Sequence, residues 1–63
     1  MREYWQLDFY IDNHQKTRYL YGTEAAARRR ARRYEADRVD LRRMSKSKTE
    51  YLKTEKKVHI INL

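Results

Sequence analysis

The stretch that decides the fold is residues 4–21, YWQLDFYIDNHQKTRYLY, which predicts a β-hairpin. Apolar and polar side chains alternate through its first half, as expected of a strand with one buried face. The apolar positions are Trp5, Leu7, Phe9 and Ile11. This much rigid aromatic surface favours a folded chain over a disordered one, although 40% of the residues are charged.

The polar segment 12–15, DNHQ, is the expected turn of this hairpin. Asparagine tolerates the positive φ that tight turns require. The loop comprises either Asn13 and His14 or all four residues. The second strand then runs from Thr17 to Tyr21, and Gly22 ends it.

The register of the hairpin decides where the tyrosines lie. Either loop packs Leu20 on the apolar face and turns Tyr19 and Tyr21 to the other side. There they join Tyr4 and Tyr10 on an open face that could stack bases or be buried in a homodimer. A slip of one residue instead sends Tyr19 and Tyr21 into the core. We favour the slipped register, because so short a chain needs the fuller core.

An arginine-rich helix is predicted after the hairpin, over residues 23–37. Thr23 is a natural N-cap, and the alanines and arginines that follow are good helix formers. With about 100° between successive residues, Ala27, Ala31 and Tyr34 share one narrow face. That face is expected to pack on the hairpin.

Two further strands are predicted in the C-terminal part. Val39 and Leu41 alternate with charged residues, and residues 58–63 form an apolar, β-branched run. The segment 44–57 between them fits either a long loop or a short helical turn.

The predicted fold is therefore a small single-domain α+β protein of order ββαββ, with one helix packed on a mostly antiparallel sheet. Its parts are a β-hairpin at residues 1–22, an Arg-rich helix at 23–37, and a C-terminal strand pair with a basic connecting segment at 38–63.

Composition excludes several classes of protein. The 63 residues contain no cysteine and one glycine, so neither a disulfide nor a thiolate zinc site is expected. No apolar run reaches the roughly 18 residues of a membrane span, and no signal-peptide pattern is present at the N-terminus. We expect a cytoplasmic protein that does not bind membranes.

Catalysis finds no support in the sequence. His14 and His59 are far apart, and neither has a carboxylate at a recognisable ligand spacing. A single glycine cannot form a phosphate-cradling loop, and so small a core leaves little room for a substrate pocket. We expect no enzyme activity, no metal and no cofactor.

The net charge of +7 is unevenly distributed. Residues 1–23 are neutral overall, residues 24–44 carry a net +4, and residues 45–63 carry a net +3. The strongest functional signal lies on the predicted helix, where four arginines form i,i+4 rows. They are Arg28, Arg29, Arg32 and Arg33. Each guanidinium offers a planar fork of donors that matches phosphate oxygens.

A competing interpretation treats the same arginines as an ordinary salt-bridged helix surface. Three carboxylates have suitable spacing for it. The pairs would be Glu24 with Arg28, Glu35 with Arg32, and Asp37 with Arg33.

A second basic cluster follows the third strand and comprises Arg42, Arg43, Lys46 and Lys48. Its alternative role is that of a charged, solubilising loop. If both clusters contacted one duplex, about six phosphates would be neutralised, and the log–log dependence of affinity on salt would have a slope of about −5.

The leading hypothesis is a small nucleic-acid-binding protein, regulatory in role, that grips the phosphates of DNA or RNA. The alternative is a protein-binding accessory or inhibitor, docking on an acidic surface of a larger host protein or ribonucleoprotein. Short, basic, cysteine-free chains are common among phage and plasmid products, which is an association of composition alone. A homodimer through the open sheet face is compatible with either hypothesis.

Overall fold

The computed structural model describes all residues, 1–63, and confirms a small α+β protein. The order of elements is ββαβαβ, so the predicted ββαββ order lacked one helix. The elements are β1 (Glu3–Ile11), β2 (His14–Gly22), α1 (Glu24–Arg32), β3 (Arg38–Arg43), α2 (Lys46–Thr54) and β4 (Ile60–Asn62).

The four strands form one mixed sheet in the order β3-β1-β2-β4. Strand β1 is antiparallel to both β2 and β3, whereas β4 is parallel to β2. The two C-terminal strands therefore lie at opposite edges of the sheet. The predicted C-terminal strand pair was wrong, because each of these strands pairs with one strand of the hairpin instead.

The hairpin turn consists of Asp12 and Asn13, both of which have a left-handed backbone with φ of 50° and 65°. A two-residue loop of this kind matches the twist of the flanking strands. It places Ile11 opposite His14 and Trp5 opposite Leu20. The predicted loop of Asn13 and His14 lies one residue too late along the chain, and the predicted four-residue loop ends two residues too late. The reason in both cases is that His14 already belongs to β2.

The slipped register that we favoured from the sequence was wrong. Tyr4 lies opposite Tyr21, with ring centroids 4.5 Å apart, and Tyr19 lies opposite Gln6. The tyrosines of the hairpin therefore occupy the sheet face that points away from α1. Leu20 takes the core position, where it is completely buried.

The core lies between α1 and one face of the sheet. Tight packing there relies on two alanines of α1, which let the helix approach the strands closely. The buried cluster comprises Trp5, Leu7, Phe9, Leu20, Ala27 and Ala31. Two of the three residues predicted to face the hairpin, Ala27 and Ala31, belong to this cluster, whereas Tyr34 lies beyond the end of α1 and packs against the cluster partly buried.

Helix α1 begins as predicted but ends early. The Thr23 hydroxyl accepts a hydrogen bond from the Ala26 N–H at 3.1 Å, which caps the first turn. The last helical residue is Arg32, five residues before the predicted end. Glu35 adopts a left-handed φ of 46°, which breaks the helix without a glycine or proline.

Tertiary contacts account for the early end of α1. The Tyr34 ring stacks on Phe9, with centroids 4.4 Å apart. Three residues later the Asp37 N–H donates to the Tyr10 carbonyl at 2.9 Å. These contacts turn the chain back so that β3 can pair with β1, and a continued helix would prevent them.

Helix α2 resolves the alternatives left open for residues 44–57 in favour of a helix. The Ser45 hydroxyl accepts from the Lys48 N–H at 3.2 Å and caps it, and the Thr49 and Leu52 side chains are buried. Lys48 and Lys53 of α2 reach side chains on the face of β1 opposite to α1. The sheet therefore has one helix on each face.

The connectivity explains this placement. Helix α1 joins the parallel strands β2 and β3 by crossing β1, and α2 joins β3 to β4 by crossing back over β1 and β2. Crossovers between parallel strands are almost always right-handed. Because these two run in opposite directions across the sheet, a common hand puts their helices on opposite faces.

Candidate nucleic-acid interface

The outer surface of α1 and its C-cap consists largely of arginine. Five arginines occur within six residues, and no acidic residue lies between them. They are Arg28, Arg29, Arg30, Arg32 and Arg33. Because Ala27 and Ala31 face the sheet, the side chains of this set spread over the sides and the outward surface of the helix.

Only one of the three predicted helix salt bridges is present. Arg28 pairs with Glu24 at 2.7 Å. The other two depended on a helix that continued to residue 37, so that Glu35 could reach Arg32 and Asp37 could reach Arg33. Since α1 ends at Arg32, neither pair forms.

Three arginines of this surface consequently have no carboxylate within salt-bridge distance. They are Arg29, Arg32 and Arg33, and all three are exposed. Each of four other arginines pairs with an acidic side chain, namely Arg28 of the same helix and Arg38, Arg42 and Arg43 of β3. Outside α1 and its C-cap, Arg2 and Arg18 also lack an acidic partner, so most but not all of the uncompensated arginine charge lies on α1.

Arg30 belongs to this surface, although the sequence alone did not predict it as a site residue. It is half-buried, and its Nε–H donates to the Tyr34 hydroxyl at 3.5 Å. Its guanidinium carbon lies 6.0 Å from the centre of the Tyr34 ring. The i,i+4 spacing of Arg30 and Tyr34 is the signal that could have identified it. No carboxylate pairs with it.

The predicted second basic cluster is divided between the two faces of the sheet. Arg42 donates to the Asp8 carboxylate at 2.7 Å, on the sheet face away from α1. Its neighbour Arg43 points to the other face, where its guanidinium carbon lies 5.2 Å from the centre of the Trp5 ring and its Nε lies 3.0 Å from Glu3. Successive residues of a strand point to opposite faces, which separates the two.

The lysines of that cluster lie on α2. Lys48 donates to the side-chain amide oxygen of Gln6, and Lys46 is exposed. Since Gln6 points away from α1, these lysines and the α1 arginines lie on opposite sides of the sheet. One ligand cannot contact both sets without wrapping around the protein.

The two tyrosine candidates already have cationic partners within the protein. The Lys53 ammonium lies 5.2 Å from the centre of the Tyr4 ring, and the Arg38 guanidinium carbon lies 5.5 Å from that of Tyr10. Both tyrosines are half-buried. Helix α2 covers the Tyr4 end of the face that was expected to be open.

A buried carboxylate lies beneath Arg42. Asp8 is only 3% exposed and accepts hydrogen bonds from Thr17 at 2.7 Å, from Gln6 at 3.1 Å and from Arg42 at 2.7 Å. Burial by itself raises the pKa of Asp8, but these hydrogen bonds outweigh it and hold the pKa below the ordinary value of 3.8. The network joins β1, β2 and β3.

The Asp8 network predicts a stability loss in acid. Because the pKa is lowered in the folded state, the contribution of this carboxylate is complete above its ordinary pKa and disappears as the pH falls through the folded-state pKa. Asp8→Asn should lower the free energy of unfolding by about 1–2 kcal/mol at neutral pH, since it removes the charged acceptor. The difference from the unsubstituted protein should shrink below about pH 4.

Denaturant titrations at neutral pH and at about pH 3 measure this effect. Asp40→Asn is the matched control, because the Asp40 carboxylate is 45% exposed and pairs only with Arg38 at 3.3 Å. It should change the free energy of unfolding by less than about 1 kcal/mol. An Asp8→Asn penalty that is equal at both pH values contradicts this role of Asp8.

A groove of about 600 Å³ opens between α1 and the C-terminal end of the edge strand β4. Guanidinium groups border it, whereas alanine and leucine side chains contribute apolar surface. We call it the arginine groove and define it by Ala26, Arg29, Arg30, Arg32, Arg33, Asn62 and Leu63. No acidic side chain lines it. An electropositive concave surface of this kind concentrates anions.

The structure shows no set of three His, Cys, Asp or Glu side chains grouped so that they could hold a metal ion. None of its helices has the length and apolar character needed to cross a membrane. Comparisons with protein-family models, curated proteins and solved structures found no match to this chain.

Proposed function

We propose that this protein binds nucleic acid through the outer surface of α1. Arg29, Arg32 and Arg33, with the half-buried Arg30, contact phosphates of the backbone. The observation that carries the proposal is that none of these four has a carboxylate partner. Of the six arginines that lack one, four are thus clustered within residues 29–33, whereas Arg2 and Arg18 lie elsewhere.

Electrostatics favours a phosphate ligand for this surface. Like charges at i,i+4 spacing destabilise a helix by about 0.2–0.5 kcal/mol per pair, and Arg29 with Arg33 is such a pair. A polyanion relieves this repulsion and gains the bidentate hydrogen bonds that guanidinium groups form with phosphate oxygens. Release of the counterions condensed on the nucleic acid adds to the affinity.

The side chains of this surface favour contacts with the phosphates of nucleic acid over sequence-specific contacts with base edges. The outward positions of α1 hold arginines together with Ala25, and no Asn or Gln lies among them to pair with adenine. Phosphate contacts position a protein on nucleic acid but carry no sequence information. We therefore expect similar affinity for DNA duplexes of unrelated sequence.

The salt dependence of binding tests this proposal. Four phosphate contacts predict a log–log slope of about −3.6 for duplex DNA, less steep than the value for six contacts because the α2 lysines lie on the other side of the sheet. Fluorescence anisotropy with a labelled duplex at several salt concentrations measures it. Absence of binding at low salt would overturn the proposal.

A pull-down from lysate separates this function from docking on an acidic protein. The tagged protein is incubated with lysate before and after nuclease treatment. Under the proposal, nuclease releases the captured material. A defined protein that stays bound after nuclease, and is lost when the α1 arginines are replaced, favours the protein-binding alternative.

A further inference from the structure

The arginine groove has features that a phosphate-binding surface alone does not need. Phosphates require donors, which Arg29 and Arg33 supply at its border. The groove also has apolar surface from Ala26 and Leu63, which a phosphate cannot cover favourably. Its volume of about 600 Å³ falls within the roughly 300–1,000 Å³ of typical ligand sites.

We infer that the arginine groove accommodates an unpaired nucleotide of single-stranded nucleic acid, with the phosphate on the arginines and the base against the apolar surface. The inference rests on the proposed function and names the form of nucleic acid that this part of the surface recognises. An unpaired base exposes a flat apolar face that can cover Ala26 and Leu63. In a duplex the bases are stacked on one another, and mainly phosphates reach a groove of this kind.

The walls of the groove are held in place by contacts within the protein. The Leu63 N–H donates to the Tyr21 carbonyl at 2.9 Å, and Leu63 packs so closely on Gly22 that a methyl group there would lie 2.9 Å from the Leu63 Cβ. The opposite wall is α1 from Ala26 to its C-cap Arg33, and the Ala26 N–H at the start of this wall donates to the Thr23 cap. The site is therefore formed before any ligand binds, which reduces the entropic cost of binding.

Arg30 is oriented to serve as a stacking partner for the base. Its Nε lies 3.5 Å from the Tyr34 hydroxyl, and its side chain lines the groove. A guanidinium plane stacks on nucleic-acid bases as well as donating to phosphates. Its role differs from that of the exposed arginines, because its planarity matters as much as its charge.

Filling the groove tests the inference without changing the charge of the protein. Ala26→Leu places a branched side chain on the groove surface, and both residues are good helix formers. Binding is measured by anisotropy with labelled single strands of about twelve nucleotides, as DNA and as RNA, and with the corresponding DNA duplex. Thermal unfolding of each variant verifies that it folds.

We expect Ala26→Leu to weaken single-strand binding by roughly fivefold to a hundredfold, the cost typical of forcing extra side-chain volume into a closely fitted contact. Duplex binding should change by less than about twofold, because it depends on phosphate contacts to the outward arginines. Ala25→Leu is the matched control. It makes the same change one residue earlier, at an exposed position outside the groove, and should leave single-strand binding unaltered.

Arg30→Lys is the second variant. It keeps the positive charge but removes the planar guanidinium, so single-strand affinity should fall by at least about threefold and by clearly more than duplex affinity, since the lysine can still contact a phosphate. The inference is overturned if both variants leave single-strand binding unchanged, or if they weaken single-strand and duplex binding equally. Failure of the unsubstituted protein to bind either form would instead overturn the proposed function itself.

Discussion

Replacement of Arg29, Arg32 and Arg33 by glutamine is expected to lower the affinity for duplex DNA by roughly a hundredfold at low salt. Each substitution removes a guanidinium that has no carboxylate partner and is exposed to solvent. A lost phosphate contact of this kind costs about 1 kcal/mol, and three such losses correspond to about two powers of ten in the dissociation constant. Fluorescence anisotropy with a labelled duplex measures the effect.

The matched control replaces Lys46, Lys56 and Lys57 by glutamine, which removes the same number of charges. These lysines are exposed and lie outside α1. Under the proposal the control loses much less affinity, since only the general attraction of the protein to a polyanion is reduced. Equal losses in the two triple variants would mean that net charge, and not the α1 surface, governs binding.

Leu20→Ala is expected to lower the free energy of unfolding by more than Asp8→Asn or Tyr19→Ala. Leu20 is fully buried against the cluster formed by Trp5, Leu7 and α1. Truncation of a buried leucine to alanine costs about 2–5 kcal/mol, which is comparable to the whole stability of so small a domain. A large fraction of the variant should therefore be unfolded at 37 °C, as measured by circular dichroism during a thermal scan.

Tyr19→Ala provides the contrast that tests the hairpin register. Tyr19 is half-buried on the opposite face of the sheet, so its truncation should cost clearly less than that of Leu20. In the slipped register Tyr19 would occupy the core and Leu20 would not. A larger loss for Tyr19→Ala than for Leu20→Ala would contradict the observed pairing of Trp5 with Leu20.

The local elements of the fold could be predicted because their signals are contained within short stretches. Alternation from Trp5 to Ile11 specifies the first strand, and Thr23 marks the start of α1 by a hydrogen bond to a residue three positions away. The hairpin register could not be predicted as readily. It depends on whether Asp12 or His14 joins Asn13 in the loop, and the sequence pattern allows both.

The end of α1 and the position of α2 depend on contacts distant in sequence. Residues 33–37 contain no helix breaker, and the helix ends because Tyr34 stacks on Phe9 and Asp37 bonds to β1. Helix α2 has a local signal in its Ser45 cap, but the face it covers follows from the topology of the crossovers. Helix propensity alone predicts neither where α1 ends nor which sheet face α2 covers.

These distant contacts also determine which arginines are available to a ligand. In the sequence, Arg28, Arg32 and Arg33 each have a carboxylate at a suitable spacing, and nothing distinguishes them. The early end of α1 leaves Arg28 paired with Glu24 and the other two without partners. The strand geometry likewise separates Arg42 from Arg43, which the sequence grouped together.

The most direct test of phosphate binding by α1 is the salt dependence of duplex affinity for the unsubstituted protein and for the variant with Arg29, Arg32 and Arg33 replaced by glutamine. Between about 50 and 200 mM salt, four phosphate contacts predict a loss of roughly a hundredfold for the unsubstituted protein. The single contact left in the variant predicts a loss of roughly fourfold. Parallel salt curves for the two proteins would show that these arginines do not contact phosphates and would contradict the account.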